Sequence, residues 1–183
     1  MKRTIVYFEH AGHVNTETTL QLAKARAVAL GITHVALAST SGHTAQRALD
    51  VFQDTAIHLY VVGTSRQSFQ PDILTTLEAR GIPVRFASEV AYTYPDSVRN
   101  AFRRLSEGMK VVMDLGMILR EEGLIPAHEE IVAIGGTGPL GFAAGGGVDT
   151  AVIMIPRRSD AFNRLPDDKD QRRDIKEIIC KPR

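Results

Sequence analysis

Val35-Ala36-Leu37-Ala38-Ser39-Thr40-Ser41-Gly42-His43-Thr44-Ala45 is the stretch whose reading decides the fold. Its apolar run breaks into hydroxyls around one glycine, and apolar residues then resume with Ala45, Ala48, Leu49 and Phe52 at i, i+3, i+4 and i+7. Residues 35–38 have the composition of a strand covered on both faces, so the order is strand, turn, helix. A helix N-terminus carries unpaired N–H groups and the positive end of the helix dipole, which together attract an anion. Here Gly42 allows the backbone to approach closely, and the hydroxyls of Ser39, Thr40, Ser41 and Thr44 are available as donors, so a phosphate suits the turn. Serine, threonine and glycine are also ordinary cap and turn residues that need no ligand. The stretch has neither the Gly-Lys-Ser/Thr ending of a Walker loop nor the Gly-x-Gly-x-x-Gly of a dinucleotide turn.

The same alternation extends to both sides. A strand at 5–8 leads through a polar turn to a helix at 16–30, with Asn15 as its expected N-cap, Glu17 in its first turn and Gly31 at its end. After the helix that ends near 52 come a strand at 57–62, a looser segment with Gly63, Thr64 and Ser65, a helix at 71–80 closed by Gly81, and a strand at 83–86. Four successive strand–helix alternations predict an α/β fold: three layers, α/β/α, around a mostly parallel sheet with helices on both faces. From Asp96 onward Val98, Phe102, Leu105, Met109, Val112 and Leu119 keep three-four spacing, which predicts one long helix over 96–120 with Gly108 as its weak point. Val111, Met113, Leu115, Met117 and Ile118 make its second half apolar nearly all round. Such a helix suits the core, or alternatively a partner subunit, making a homo-oligomer through 96–120 an expectation to test. Strands at 131–134, 150–155 and 175–180 complete the sheet with an antiparallel edge, and 157–174 is expected to be an exposed loop.

Composition narrows the function classes. With 183 residues the chain suits one domain, 1–183. A formal net charge of +1, with no long block of either sign, argues against nucleic acid and against an anionic membrane surface. The single cysteine, Cys180, excludes an internal disulfide framework, and the N-terminus leads into a strand rather than a signal peptide. No apolar run nears the ~20 residues that span a bilayer. A soluble, cytoplasmic protein is expected.

A second loop, residues 135–150, follows a strand and holds seven glycines. Glycine there lets the backbone fold close against a ligand, at the strand end where open α/β sheets bind. A plain hairpin connection between antiparallel strands explains the glycines as well, and no lysine or arginine lies inside the loop to fix a phosphate.

Taken together, 38–45 after a strand, and Glu130-Ile131-Val132-Ala133-Ile134-Gly135-Gly136 leading through a glycine loop to 150–155, resemble the C-terminal allosteric domain of pyruvate kinase. In that domain a Ser-Gly-x-Ser/Thr-Ala turn holds a phosphate of a sugar bisphosphate effector, and a glycine loop closes over it; the catalytic barrel has no counterpart here. Over nearly its whole length the chain is similar to a family of stand-alone archaeal and bacterial proteins built on that domain. Shared with them are an Asn-Thr-Glu-x-Thr-Leu helix start, here residues 15–20, and a Lys-Glu-Ile-Ile-Cys-x-Pro ending, here 176–182, whereas the glycine loop is longer here. The resemblance implies a phosphorylated small ligand, with flavin mononucleotide (FMN) the leading cofactor. It assigns the phosphate to Thr40, Ser41, Gly42, His43 and Thr44, with Ser39 at the strand end. Asn15, Thr16, Gly135, Gly136, Thr137 and Gly138, with Glu9 and His10, are expected along the adjoining cleft, and Phe142 against the flavin ring. A sugar-phosphate-sensing module without chemistry and a flavin-dependent enzyme are the competing functions.

The remaining reactive side chains point to no chemistry. His10 and His13, with Glu9, have no further clustered ligand, so no metal site is expected. His43 suits either a phosphate or solvent at a helix start, and Cys180 in an apolar strand reads as an inert buried thiol. No acid/base pair stands out.

Overall fold

A computed structural model of the chain describes residues 4–138, 146–163 and 174–183. The expected alternation is realised as β1 (Val6–Phe8), α1 (Thr16–Leu30), β2 (His34–Ala38), α2 (His43–Phe52), β3 (His58–Gly63), α3 (Pro71–Ala79) and β4 (Val84–Phe86). It continues through α4 (Asp96–Arg103), α5 (Glu107–Glu121), β5 (Ile131–Gly135), β6 (Thr150–Met154) and β7 (Ile175–Pro182). The strands form one seven-stranded sheet in the order β1-β7-β6-β5-β2-β3-β4. β2 pairs in parallel with both β3 and β5, β4 with β3, and β1 with β7, while β6 runs antiparallel to β5 and β7 towards the β1 side.

Side-chain alternation on the pleat explains the three layers. Val35 and Leu37 of β2, Leu59 and Val61 of β3, and Val132 and Ile134 of β5 share one core with Leu20, Ala48, Leu49 and Leu77 of α1–α3. The alternate residues Ala36, Tyr60, Val62, Ala133 and Val152 join Met109, Val112, Leu115 and Leu119 of α5 on the opposite face. Both faces are covered, so the strands read as unbroken apolar runs.

Four expectations are corrected. The 96–120 stretch is two helices, because Ser106 takes an extended backbone (φ −179, ψ 161) and its Oγ accepts from Met109 N at 3.0 Å, capping α5. Gly108 is not the break; it lies inside α5, where a Cβ would stand 2.1 Å from Thr150 Oγ1, so its role is close helix–sheet approach. Asn15 makes no side-chain cap on α1: it ends a short 3-10 helix, His13–Asn15, and its Nδ2 donates to His10 O at 2.7 Å. In the segment expected as an exposed loop, Ser159–Asn163 forms a 3-10 helix whose Phe162 ring packs on Tyr94 at 5.3 Å; residues 164–173 lie outside the described residues. Met109, Val112, Met113, Leu115, Met117, Ile118 and Leu119 of α5 are buried within the chain itself, while Val111 is half-buried. Among the described residues no helix is long and apolar enough to cross a membrane.

Candidate functional site

Adjacent strands β2 and β5 are joined to helices on opposite faces: β2 runs into α2, and β5 is reached from α5. Such a switch opens a crevice beyond the carboxyl ends of the strands. A cleft of about 310 Å³ lies there, with three walls.

The first wall is the opening motif. Ser39, Thr40, Ser41 and Thr44 line it, with Thr64 beyond β3. Gly42 turns the chain at φ +97, and a Cβ on it would meet Ile73 Cγ2 at 2.9 Å and Phe69 Cε1 at 3.0 Å, so the turn needs glycine on both counts. Ser39, nearly buried, accepts from Ala45 N at 3.3 Å and so caps α2 with its hydroxyl. The Thr40 and Thr64 hydroxyl oxygens are 3.3 Å apart. Gly42 and His43 belong to the turn but not to the cleft lining; His43 Nε2 lies 3.0 Å from Gln70 Nε2.

The second wall is the glycine loop, to which Gly136, Thr137 and Gly138 contribute from one arm and Gly146 and Gly147 from the other. The loop joins the antiparallel pair β5 and β6 and also borders the cleft. Asp149, fully buried, holds its two arms in place. Its Oδ2 accepts from Gly12 N at 2.8 Å, Thr137 Oγ1 at 2.6 Å and Thr137 N at 3.3 Å, and its Oδ1 accepts from Thr150 Oγ1 at 2.9 Å. Thr16 Oγ1 braces the returning arm by accepting from Val148 N at 3.2 Å. Asn15, Thr16 and Gly135 thus stand behind the loop and are not among the lining residues; nor are Glu9 and His10, both exposed. Phe142 lies outside the described residues.

The third wall, which sequence reasoning missed, is α5. Glu107, Lys110, Val111, Asp114, Leu115 and Ile118 recur at three-four spacing along the cleft, joined by Tyr92. Lys110 Nζ stands 2.6 Å from Asp114 Oδ2, and the Tyr94 hydroxyl donates to Asp114 Oδ1 at 2.7 Å. Burial, and then the bond to Asp114, push the Tyr94 hydroxyl well above the usual range for a phenol. Tyr92 is also raised, by burial and by the Asp114 charge. A charged i,i+4 pair inside the apolar run 109–119 was the available signal.

Cys180 lies away from the cleft, wholly buried, its thiol pushed up to about 11 by burial. Among the described residues no group of three or more histidine, cysteine, aspartate or glutamate side chains is placed to hold a metal ion.

No family model matches the chain. Among solved structures it is similar to the pyruvate kinase of Cryptosporidium parvum in complex with ADP, at 15% identity and a TM-score of 0.44, over 77% of this chain and 23% of that one. The chain thus matches less than a quarter of that protein's length.

Proposed function

We propose that the protein binds a phosphorylated small molecule in this cleft, its phosphate at the N-terminus of α2 and its remainder between the glycine loop and α5. One observation carries the reading: Thr40, Ser41 and Thr44, at a helix start, share a cleft with a backbone-rich glycine loop. Helix-start N–H groups and hydroxyls supply the donors that a phosphate requires.

FMN is the leading ligand. Its ring suits the apolar side of the cleft, where Val62, Val111, Leu115 and Ile118 meet Tyr92. When bound, a flavin would supply electron-transfer chemistry, while this chain's residues anchor the phosphate and shield the ring from water. A second reading, a sugar-phosphate-sensing module without chemistry, is favoured by the cleft's volume of about 310 Å³, near the lower end of small-molecule sites.

Absorbance in the flavin bands and thermal unfolding with added FMN or sugar phosphates separate the two. A colourless protein that FMN fails to stabilise sinks the flavin; stabilisation by sugar phosphates alone selects the sensor. In either case Ser41→Ala with Thr44→Val should weaken binding by at least ~10-fold, since each hydrogen bond to a charged group contributes ~1.5–3 kcal/mol. Unchanged affinity refutes the phosphate cradle.

A further inference from the structure

The Lys110–Asp114 pair sits where its presence needs a reason. The two side chains are only 19% and 10% exposed, on a helix whose neighbouring residues are core. Drawing an ion pair that far out of water costs desolvation, and apolar residues of similar size generally pack such a position at no loss. Asp114 is engaged through both carboxylate oxygens, one with Tyr94 and one with Lys110. The Arg99 guanidinium, with its Cζ 4.9 Å from the Tyr94 ring centroid, in turn holds that ring. Lys110 differs: an ammonium has three donors, and among the described residues Asp114 is its one partner. Two donors remain on a side chain that borders the cleft.

We propose that Lys110 is the second anchor of the site, donating to a carbonyl or carboxylate oxygen at the end of the ligand remote from the phosphate. Asp114 and Tyr94 are positioning residues that fix the ammonium. The inference rests on the phosphate-site reading above and narrows its ligand class: phosphorylated molecules that carry an oxygen acceptor away from the phosphate. Val111, Leu115 and Ile118 on the same helix face suit the planar or hydrocarbon part between the two polar ends.

Calorimetric titration of the full chain with FMN, 3-phosphoglycerate and inorganic phosphate tests it. The first two probes carry a remote acceptor; the third does not. The wild type should bind one of the first two at least ~10-fold more tightly than phosphate, because a charge-assisted hydrogen bond is the strong kind. Lys110→Gln, which can still donate to Asp114, should erase that advantage and leave phosphate affinity within about twofold. Lys110→Arg should keep part of the advantage, and Asp114→Asn should reduce it without changing phosphate affinity, a selectivity that a purely structural role would not move. Should Lys110→Gln fail to fold, as its melting curve would reveal, Tyr94→Phe tests the same selectivity through Asp114. If the wild type prefers neither acceptor-bearing probe, or Lys110→Gln keeps the preference, the anchor is overturned and the phosphate site stands. If the wild type binds none of the three, both are overturned.

Discussion

Replacing Gly42 by alanine carries two costs that can be measured apart. The first is backbone strain: the residue sits at φ +97, and an L side chain in the left-handed region costs ~1–2 kcal/mol. The second is steric. The added Cβ would stand 2.9 Å from Ile73 Cγ2 and 3.0 Å from Phe69 Cε1. Neither neighbour can retreat, for Ile73 is branched at Cβ and buried, and Phe69 is wedged edge-on against Phe86 with ring centroids 5.7 Å apart. Overpacking of that kind adds ~1–3 kcal/mol, so Gly42→Ala should lose ~2–5 kcal/mol in all. Gly31→Ala is the control: φ is +68 and nothing lies within 4 Å of its Cβ, which leaves the strain alone. Urea unfolding followed by circular dichroism, with the slope m unchanged, gives both values. Equal losses for the two variants, or a loss below ~1 kcal/mol for Gly42→Ala, would refute the account of the turn.

Asp149→Ala leaves the Gly12 and Thr137 donors without a buried acceptor and should cost ~3–5 kcal/mol, with ligand affinity falling as the loop is released; Asp149→Asn keeps one acceptor oxygen and should cost clearly less. Equal costs would show that the carboxylate does not hold the loop. Burial raises the Cys180 thiol from 9.0 to about 11, so at pH 8 the folded chain should react with iodoacetamide ~100-fold more slowly than the urea-unfolded chain. The sign for stability follows, because the folded state keeps the thiol proton longer: this contribution is complete below pH 9 and is lost as pH rises towards 11. Stability of the wild type should therefore fall more steeply over that range than that of Cys180→Ala, and parallel curves would refute it.

How much of the fold was legible depended on whether its cause was local. Residues 35–38 announce a strand because both faces are covered and all four side chains are apolar or small, and α2 follows from four residues at three-four spacing. The division of 96–120 was illegible because the spacing runs through it unbroken: Phe102, Leu105 and Met109 keep the helical rhythm, yet Leu105 is 51% exposed and Ser106 is extended. The hydroxyl turn of the site could be read for the same local reason. Lys110 and Asp114 stand out in the sequence only as a charged pair in an apolar run, since their place in the cleft depends on α5 crossing to the far face of the sheet, beside strands distant in sequence.

Size alone would put the site at the wrong edge of the sheet. Two cavities larger than the cleft open there: one of about 720 Å³ bordered by Leu30, Glu130 and Ile175, and one of about 370 Å³ at the other ends of β2 and β3, lined by Phe52, Gln53, His58, Arg80 and Gly81. The residues of the second include the C-terminal ends of α2 and α3, where carbonyl groups and the negative ends of the helix dipoles point outward. An anion there meets like-signed partial charge, worth ~0.3–1 kcal/mol against it at each terminus, and only Arg80 to offset it. At the β2–β5 edge the sign reverses: α2 presents its N–H groups, and Ser41 and Thr44 add hydroxyl donors. The direction in which the chain enters α2, set by the parallel pairing of β2 and β3, therefore selects the edge at which a phosphate can be held.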